Sequence, residues 1–215
     1  MANQARNDGE LRTAYFGMAV VESDRGHFDK ALAAMDKEFA VAEKQNDAAS
    51  MSADLQAKGN ILLAAQKYDD AAKQFERSLE ITENSSLSQE IKDNARLQDH
   101  FDEAAVAIGK KDYATAQTHI TAFRQGAEAG QNPAQLKQVH ELAGRLALAQ
   151  KNYEQAIAEL KEANQQNPAN LYRLSLAYKA KGDANEAHDY AKRAGEFNSL
   201  PQLPYAFIRA KAEKG

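Results

Sequence analysis

The chain of 215 residues contains no cysteine and no tryptophan, and only 4 prolines and 11 glycines. Without cysteine it can form neither a disulfide framework nor a thiolate metal site. Few residues interrupt a helix, and strong helix formers such as Ala, Gln, Glu, Lys and Leu fill nearly every segment. The sequence therefore predicts an all-α protein.

Two further absences restrict the partners and the compartment. The formal net charge is −4 and no basic surface is concentrated enough to neutralise phosphates, which argues against nucleic acid. No run of 18 apolar residues occurs, and the N-terminus MANQARNDGE lacks the apolar segment of a signal peptide, so we expect no membrane insertion. These features are compatible with a soluble cytoplasmic protein, and with a periplasmic protein whose signal peptide was removed. The localisation stays unknown.

A short phrase of the sequence recurs and predicts the architecture. AAQKYDDA at 64–71 and AQKNYEQA at 149–156 are near-copies, and five related segments end in an alanine. Twelve residues before each alanine lies a small residue, which lets two antiparallel helices approach closely. The unit is therefore a helix, a tight turn and a second helix, repeated about five times. The alanines are Ala31, Ala71, Ala116, Ala156 and Ala187, and the small residues are Ala19, Gly59, Ala104, Gly144 and Ser175.

The helix pairs and the domain limits follow from this register. We expect residues 1–8 to be disordered or vector-derived, residues 9–199 to form the repeat domain, and residues 200–215 to form a linker and a capping helix. The capping helix, at 203–213, carries Tyr205, Phe207 and Ile208; the alternative is a helix for dimerisation or partner docking. The predicted pairs are 9–24 with 27–46, 50–65 with 68–83, 87–109 with 113–129, 133–150 with 153–166, and 169–181 with 184–197.

The repeated pattern resembles the tetratricopeptide repeat family in a divergent form. The residues that carry the resemblance are Leu55, Gly59, Leu62, Tyr68, Ala71 and Phe75, and again Gly144, Tyr153, Ala156, Leu160 and Pro168. The chain departs from the family in lacking its tryptophan and in the spacing of the marker alanines, which is 40, 45, 40 and 31 residues. The resemblance implies a right-handed α-solenoid of antiparallel helix pairs, a superhelix closed by a C-terminal capping helix.

The sequence displays no constellation of residues that would support catalysis. None of the five histidines has the spacing of a zinc protease motif, and Gly126 and Gly130 do not form a phosphate-binding loop after a strand. We therefore expect no enzyme activity, no cofactor and no metal site.

The resemblance implies a non-catalytic scaffold or adaptor that binds a protein or peptide partner. In such solenoids the first helix of each pair lines the concave face, where a peptide or helix would bind through apolar anchors with a polar rim. Phe16, Phe101 and Tyr172 would be exposed aromatic anchors there, unless the long helices shift the register and bury them. The predicted partner-binding residues are Phe16, Gln56, Asn60, Phe101, Asp102, Glu141, Arg145, Tyr172, Arg173 and Lys179.

Two other interpretations remain open at this point. Only Asn60 matches the basic and Asn-rich clamp with which some members of the family hold the C-terminal carboxylate of chaperones, so that ligand is not favoured. The chain could instead be an assembly or regulatory domain of a longer polypeptide, or a self-association module. In the last case the C-terminal helix would form a homodimer.

Overall fold

The computed structural model describes residues 2–197 and 202–213, with side chains from residue 7 onward, and within these ranges it contains helices and no strand. The all-α prediction is confirmed. The helices are α1 (Ala2–Asp24), α2 (Phe28–Lys44), α3 (Ala48–Ala64), α4 (Tyr68–Glu83), α5 (Gln89–Lys110), α6 (Tyr113–Gly130), α7 (Pro133–Ala149), α8 (Tyr153–Glu162), α9 (Pro168–Lys181), α10 (Ala184–Gly195), α11 (Leu203–Ala206) and α12 (Arg209–Ala212).

The chain forms two compact units, Met1–Asp99 (unit 1) and His100–Gly215 (unit 2). The boundary lies within α5, inside the stretch 9–199 for which the sequence predicts one repeat domain. Helix α1 already begins at Ala2, within the stretch 1–8 that the sequence analysis expects to be disordered or vector-derived. Within the units, neighbouring helices pack in consecutive antiparallel pairs such as α3 with α4 and α9 with α10.

The turn inside every helix pair has the same local geometry. Its central residue adopts a left-handed conformation, with φ of +75° at Gly26 and +61° at Gln66, for example. Lys111, Lys151 and Gly182 occupy the same place in the other three turns. A backbone hydrogen bond then closes the end of the first helix, such as the 2.9 Å bond from Asp112 N–H to the carbonyl of Ala107. The next helix begins one residue later, so the recurring phrase marks one recurring turn.

Small residues allow the two helices of a pair to touch, as the sequence predicts. A Cβ atom added at Gly144 would lie 2.6 Å from Cγ of Leu160, and one added at Gly59 would collide with the ring of Phe75. The marker alanines Ala71 and Ala156 are fully buried at the same contacts. The close approach therefore depends on the missing side chain.

Helix α8 is shorter than its predicted range of 153–166. It ends at Glu162 because Ala163 is extended, with ψ of 170°. The following residues lead into α9, where the side chain of Asn167 accepts a 3.0 Å hydrogen bond from the N–H of Ala169 and Pro168 occupies the first turn. Asn167 thereby lies next to the site described below.

The C-terminal segment covers the last helix pair of unit 2, as predicted, but with two short helices in place of one. Tyr205, Ile208 and Ala212 are buried against Ala169 and Ala194 of α9 and α10. The hydroxyl of Tyr205 donates a 2.6 Å hydrogen bond to the carbonyl of Gly195. Two of the three apolar residues considered for dimerisation are therefore buried within their own chain. The predicted linker at 200–202 falls largely outside the described residues.

Candidate functional site: a polar cluster on the first helices of unit 2

Four of the ten predicted partner-binding residues meet in unit 2, although they come from three different helices. Asp102 lies on α5, Glu141 and Arg145 lie on α7, and Arg173 lies on α9. Together with Asn170 of α9 they form what we call the polar cluster. Each of these helices is the first of its pair.

Glu141 is the centre of the polar cluster. One of its carboxylate oxygens, Oε1, lies 3.1 Å from Nη1 of Arg173. The other, Oε2, accepts hydrogen bonds from the side-chain amides of Asn170 at 3.1 Å and Asn167 at 3.2 Å. The carboxylate is therefore held by donors on both oxygens, which explains how a charged residue only 7% exposed can be accommodated.

Arg145 brings a second guanidinium to the polar cluster. Its Nη1 lies 3.8 Å from Oε1 of Glu141, within ion-pair distance, and the structure describes no hydrogen bond for its guanidinium. Burial, and then the nearby charge of Arg173, lower the pKa of Arg145 to about 10, against the opposing charges of Glu141 and Asp102. Arg145 therefore stays protonated at neutral pH, in a desolvated position where it interacts strongly with any anion that reaches it.

Two of the predicted surface residues are buried, which corrects the sequence analysis. Asp102 is 2% exposed and Glu141 is 7% exposed. For Glu141 the physical reason is the polar cluster itself, because arginine and asparagine donors of α9 satisfy a carboxylate that would otherwise require water. For Asp102 it is the nearby positive charge of Arg145.

The expectation of exposed aromatic anchors is also wrong in degree, because Phe16, Phe101 and Tyr172 are all half-buried. The ring of Phe101 packs edge-on against Phe123 of α6, with 5.6 Å between the ring centroids. Tyr172 packs against the apolar cluster that α11 and α12 complete, and burial raises the pKa of its hydroxyl. These side chains are therefore only partly available to a partner.

The remaining predicted residues are Lys179 in unit 2 and Gln56 and Asn60 in unit 1. Lys179 is exposed near the end of α9. In unit 1, Asn60 is exposed and its side chain donates a 3.0 Å hydrogen bond to the carbonyl of Gln56, one turn earlier in α3. The side chain of Asn60 therefore makes its hydrogen bond within its own helix.

Unit 1 contains a second buried polar group, which the sequence analysis misses. Arg12 of α1 makes two hydrogen bonds to the carboxylate of Asp54 of α3, at 2.7 and 2.9 Å, and lies 3.5 Å from Oε1 of Glu38 of α2. The repeat register gives no signal for it. Asp54 lies five residues before the small residue of its helix, and the residues at this place in the other pairs are Ala14, Asp99, Val139 and Asn170, so a polar residue there is not exceptional.

Histidine side chains make two further polar contacts in unit 2. Nδ1 of His100 lies 3.2 Å from Nδ1 of His119, and Nδ1 of His140 lies 2.8 Å from Oε2 of Glu159. Over residues 2–197 and 202–213, no three His, Asp or Glu side chains are placed to hold one metal ion. None of the helices in this part of the chain is long and apolar enough to cross a membrane.

Comparison with known proteins agrees with the repeat register. Residues 138–170, from within α7 to the start of α9, match the family model described as the tetratricopeptide repeat. The other helix pairs share the turn and the small residues of this one. The chain therefore resembles a divergent array of tetratricopeptide repeats. No curated protein sequence matches it.

Solved structures with the same fold show little sequence identity to these repeats. The apo form of RapI is 15% identical, with a TM-score of 0.53, over 94% of this chain and 57% of RapI. The chain therefore spans little more than half the length of RapI. BtubC (BKLC) from P. vanneervenii is 17% identical, with a TM-score of 0.52, over 94% of this chain and 92% of BtubC. At such identities the similarity establishes the fold alone.

Proposed function

We propose that this chain is a non-catalytic protein-interaction scaffold that binds a peptide or helix of a partner protein on α5, α7 and α9 of unit 2. The polar cluster supports the proposal most directly. Residues from three consecutive first helices converge there, and successive first helices are the elements that line the binding surfaces of helical-repeat proteins.

The charges and contacts of the polar cluster indicate which partner chemistry it accommodates. The side chains of Arg145 and Arg173 are 18% and 23% exposed, so neither is completely enclosed. Arg173 uses Nη1 for both Glu141 and Asn170, while a guanidinium offers five N–H donors. A carboxylate on the partner, from Asp, Glu or a chain terminus, can accept the remaining donors in a desolvated environment. The half-buried edges of Phe101 and Tyr172 supply apolar surface for its flanking residues.

Selection from a display library of short peptides with the intact chain as bait tests this proposal. The selected peptides should carry a carboxylate between apolar residues. Their affinity should fall by about tenfold or more in Arg145→Gln, because a hydrogen bond between charged groups contributes roughly 1.5–3 kcal/mol. Arg193→Gln on α10, the second helix of its pair, removes the same charge away from the polar cluster and should leave binding unchanged.

Circular dichroism of Arg145→Gln controls for loss of the fold. Selected peptides whose affinity is equal for the intact chain, Arg145→Gln and Arg193→Gln would place the binding surface elsewhere and overturn the proposal. If Arg145→Gln and Arg193→Gln lose the same affinity, the effect comes from the overall charge of the protein, and the proposal is likewise overturned.

A further inference from the structure

Glu141 places a single carboxylate oxygen between the two guanidinium groups of the polar cluster. Its Oε1 lies 3.1 Å from Nη1 of Arg173 and 3.8 Å from Nη1 of Arg145. The two arginines thus share one acceptor, although they come from different helices, α9 and α7. A guanidinium binds carboxylates strongly and with defined geometry, so an incoming carboxylate would seek the same donors. Glu141 therefore already provides an acceptor that a partner's carboxylate would otherwise provide.

The second carboxylate oxygen of Glu141 is fixed independently of the arginines. Oε2 accepts hydrogen bonds from the side-chain amides of Asn167 at 3.2 Å and Asn170 at 3.1 Å. Asn170 is fully buried, and its amide also donates a 3.1 Å hydrogen bond to the carbonyl of Asn164 in the loop before α9. The carboxylate cannot leave the arginines without breaking these bonds. It therefore stays beside any group that binds them.

The charges of the polar cluster are balanced before a partner arrives. Arg145 and Arg173 carry two positive charges, and the buried Asp102 and Glu141 carry two negative ones. Both carboxylates act on Arg145 through their charge. A partner's carboxylate would bring a third negative group, and water screens its repulsion from Glu141 poorly at a buried position.

We propose that Glu141 is an internal competitor of the partner's carboxylate. It occupies the acceptor position between Arg145 and Arg173 and thereby limits the affinity of the polar cluster for an acidic peptide. This inference rests on the proposed function, because it concerns the same two arginines. It adds that a buried acidic residue, which offers no donor to a partner, sets the strength of binding, so that a single substitution should make the binding tighter.

Glu141→Gln removes the competing charge and keeps the shape of the side chain. The amide oxygen can take the place of Oε2 and accept from Asn167 and Asn170, while the amide nitrogen then faces Arg173, a donor opposite a donor. The reverse orientation would place the amide nitrogen opposite two asparagine donors. Arg173 therefore loses its carboxylate acceptor and can offer that donor to a partner.

Fluorescence anisotropy with a carboxylate peptide selected by the natural chain measures the effect. The Kd should be about tenfold or more lower for Glu141→Gln than for the natural chain, because a like charge beside the bound carboxylate is removed. Replacing the peptide's carboxylate by a carboxamide should abolish this gain. Glu128→Gln, at an exposed position of α6, removes the same charge away from the polar cluster and should leave the Kd unchanged.

Urea unfolding accompanies the anisotropy, because removing one partner of a buried ion pair destabilises a fold. A destabilised Glu141→Gln remains informative, since a ligand that binds the folded chain raises the urea midpoint. At one concentration of the carboxylate peptide, the midpoint should rise further for Glu141→Gln than for the natural chain. The carboxamide peptide should show no such difference.

Equal or weaker binding of the carboxylate peptide by Glu141→Gln would overturn this inference and leave the proposed function intact, as would an equal gain for the carboxamide peptide. If the natural chain selects no carboxylate peptide, the proposed function fails by itself. A second selection with Glu141→Gln as bait then tests the inference. Carboxylate peptides enriched by the variant would support it, and their absence there as well would overturn it.

Discussion

Glu38 should make unit 1 less stable as the pH rises towards neutrality. Its side chain is 8% exposed, and its Oε2 has no hydrogen-bond partner among the residues that the structure describes. Burial, reinforced by the charge of Asp54, raises the pKa of Glu38 from 4.5 to about 7, and Arg12 only partly opposes this. One guanidinium thus faces two buried carboxylates.

The size and sign of the effect follow from the two pKa values of Glu38. Between 4.5 and about 7, the folded chain holds a proton on Glu38 that the unfolded chain has released. The stabilisation by this proton is complete below the unfolded value and is lost as the pH rises through the folded value. At about 1.4 kcal/mol per pH unit, the loss amounts to about 3 kcal/mol across the window.

Urea unfolding at a series of pH values measures this loss directly. The free energy of unfolding of the natural chain should fall from pH 5 to pH 8 by about 3 kcal/mol more than that of Glu38→Gln, which keeps the shape and cannot ionise. At pH 8 the variant should be the more stable protein. Glu76→Gln, at an exposed position of α4, controls for the loss of one negative charge. Parallel pH profiles for the natural chain and Glu38→Gln would refute the argument.

Two further predictions concern packing and are read from urea midpoints. Gly144→Ala should destabilise unit 2 by about 1–3 kcal/mol, because the added Cβ would lie 2.6 Å from Cγ of Leu160. Gly17→Ala adds a Cβ with nothing within 4 Å and should stabilise α1 by up to about 1 kcal/mol. Equal shifts of the two midpoints would mean that the close approach of the helices at Gly144 is unimportant. Tyr205→Phe should cost about 1 kcal/mol through loss of the hydrogen bond to the carbonyl of Gly195, and an unchanged midpoint would show that this bond does not hold the C-terminal segment.

The pairing of the helices could be predicted because its signals are local. The turn needs a short polar break between two helices, and the crossing needs a small residue at a fixed distance from it. Both features occur at the same places in each repeat. In the fourth pair, for example, Gly144 is the small residue and Lys151 lies in the turn. The break of α8 after Glu162 was harder to predict, because glutamine and asparagine at 164–167 are compatible with a helix as well as with its end.

The candidate site could be predicted only in part. The register placed Glu141, Arg145 and Arg173 on first helices, and that placement was sufficient to group them. It could not show that Glu141 is buried, because burial depends on Asn170 and Arg173 of the next helix pair supplying donors to it. For the same reason the helical period marked Phe101 as a surface position, while the crossing of α5 and α6 turned its ring against Phe123.

The sequence by itself determined the helices, their turns and their order in the chain, since each depends on residues a few positions apart. Only the tertiary structure decided which charged residues meet across helices, as Arg12 does with Asp54 and Glu141 does with Arg173. It alone also decided that Val21 stays exposed while Ile61, Val106, Leu146 and Ala177, at the same place in later repeats, are buried. Burial and charge pairing depend on distances between residues far apart in the chain, and a repeat pattern does not encode those distances.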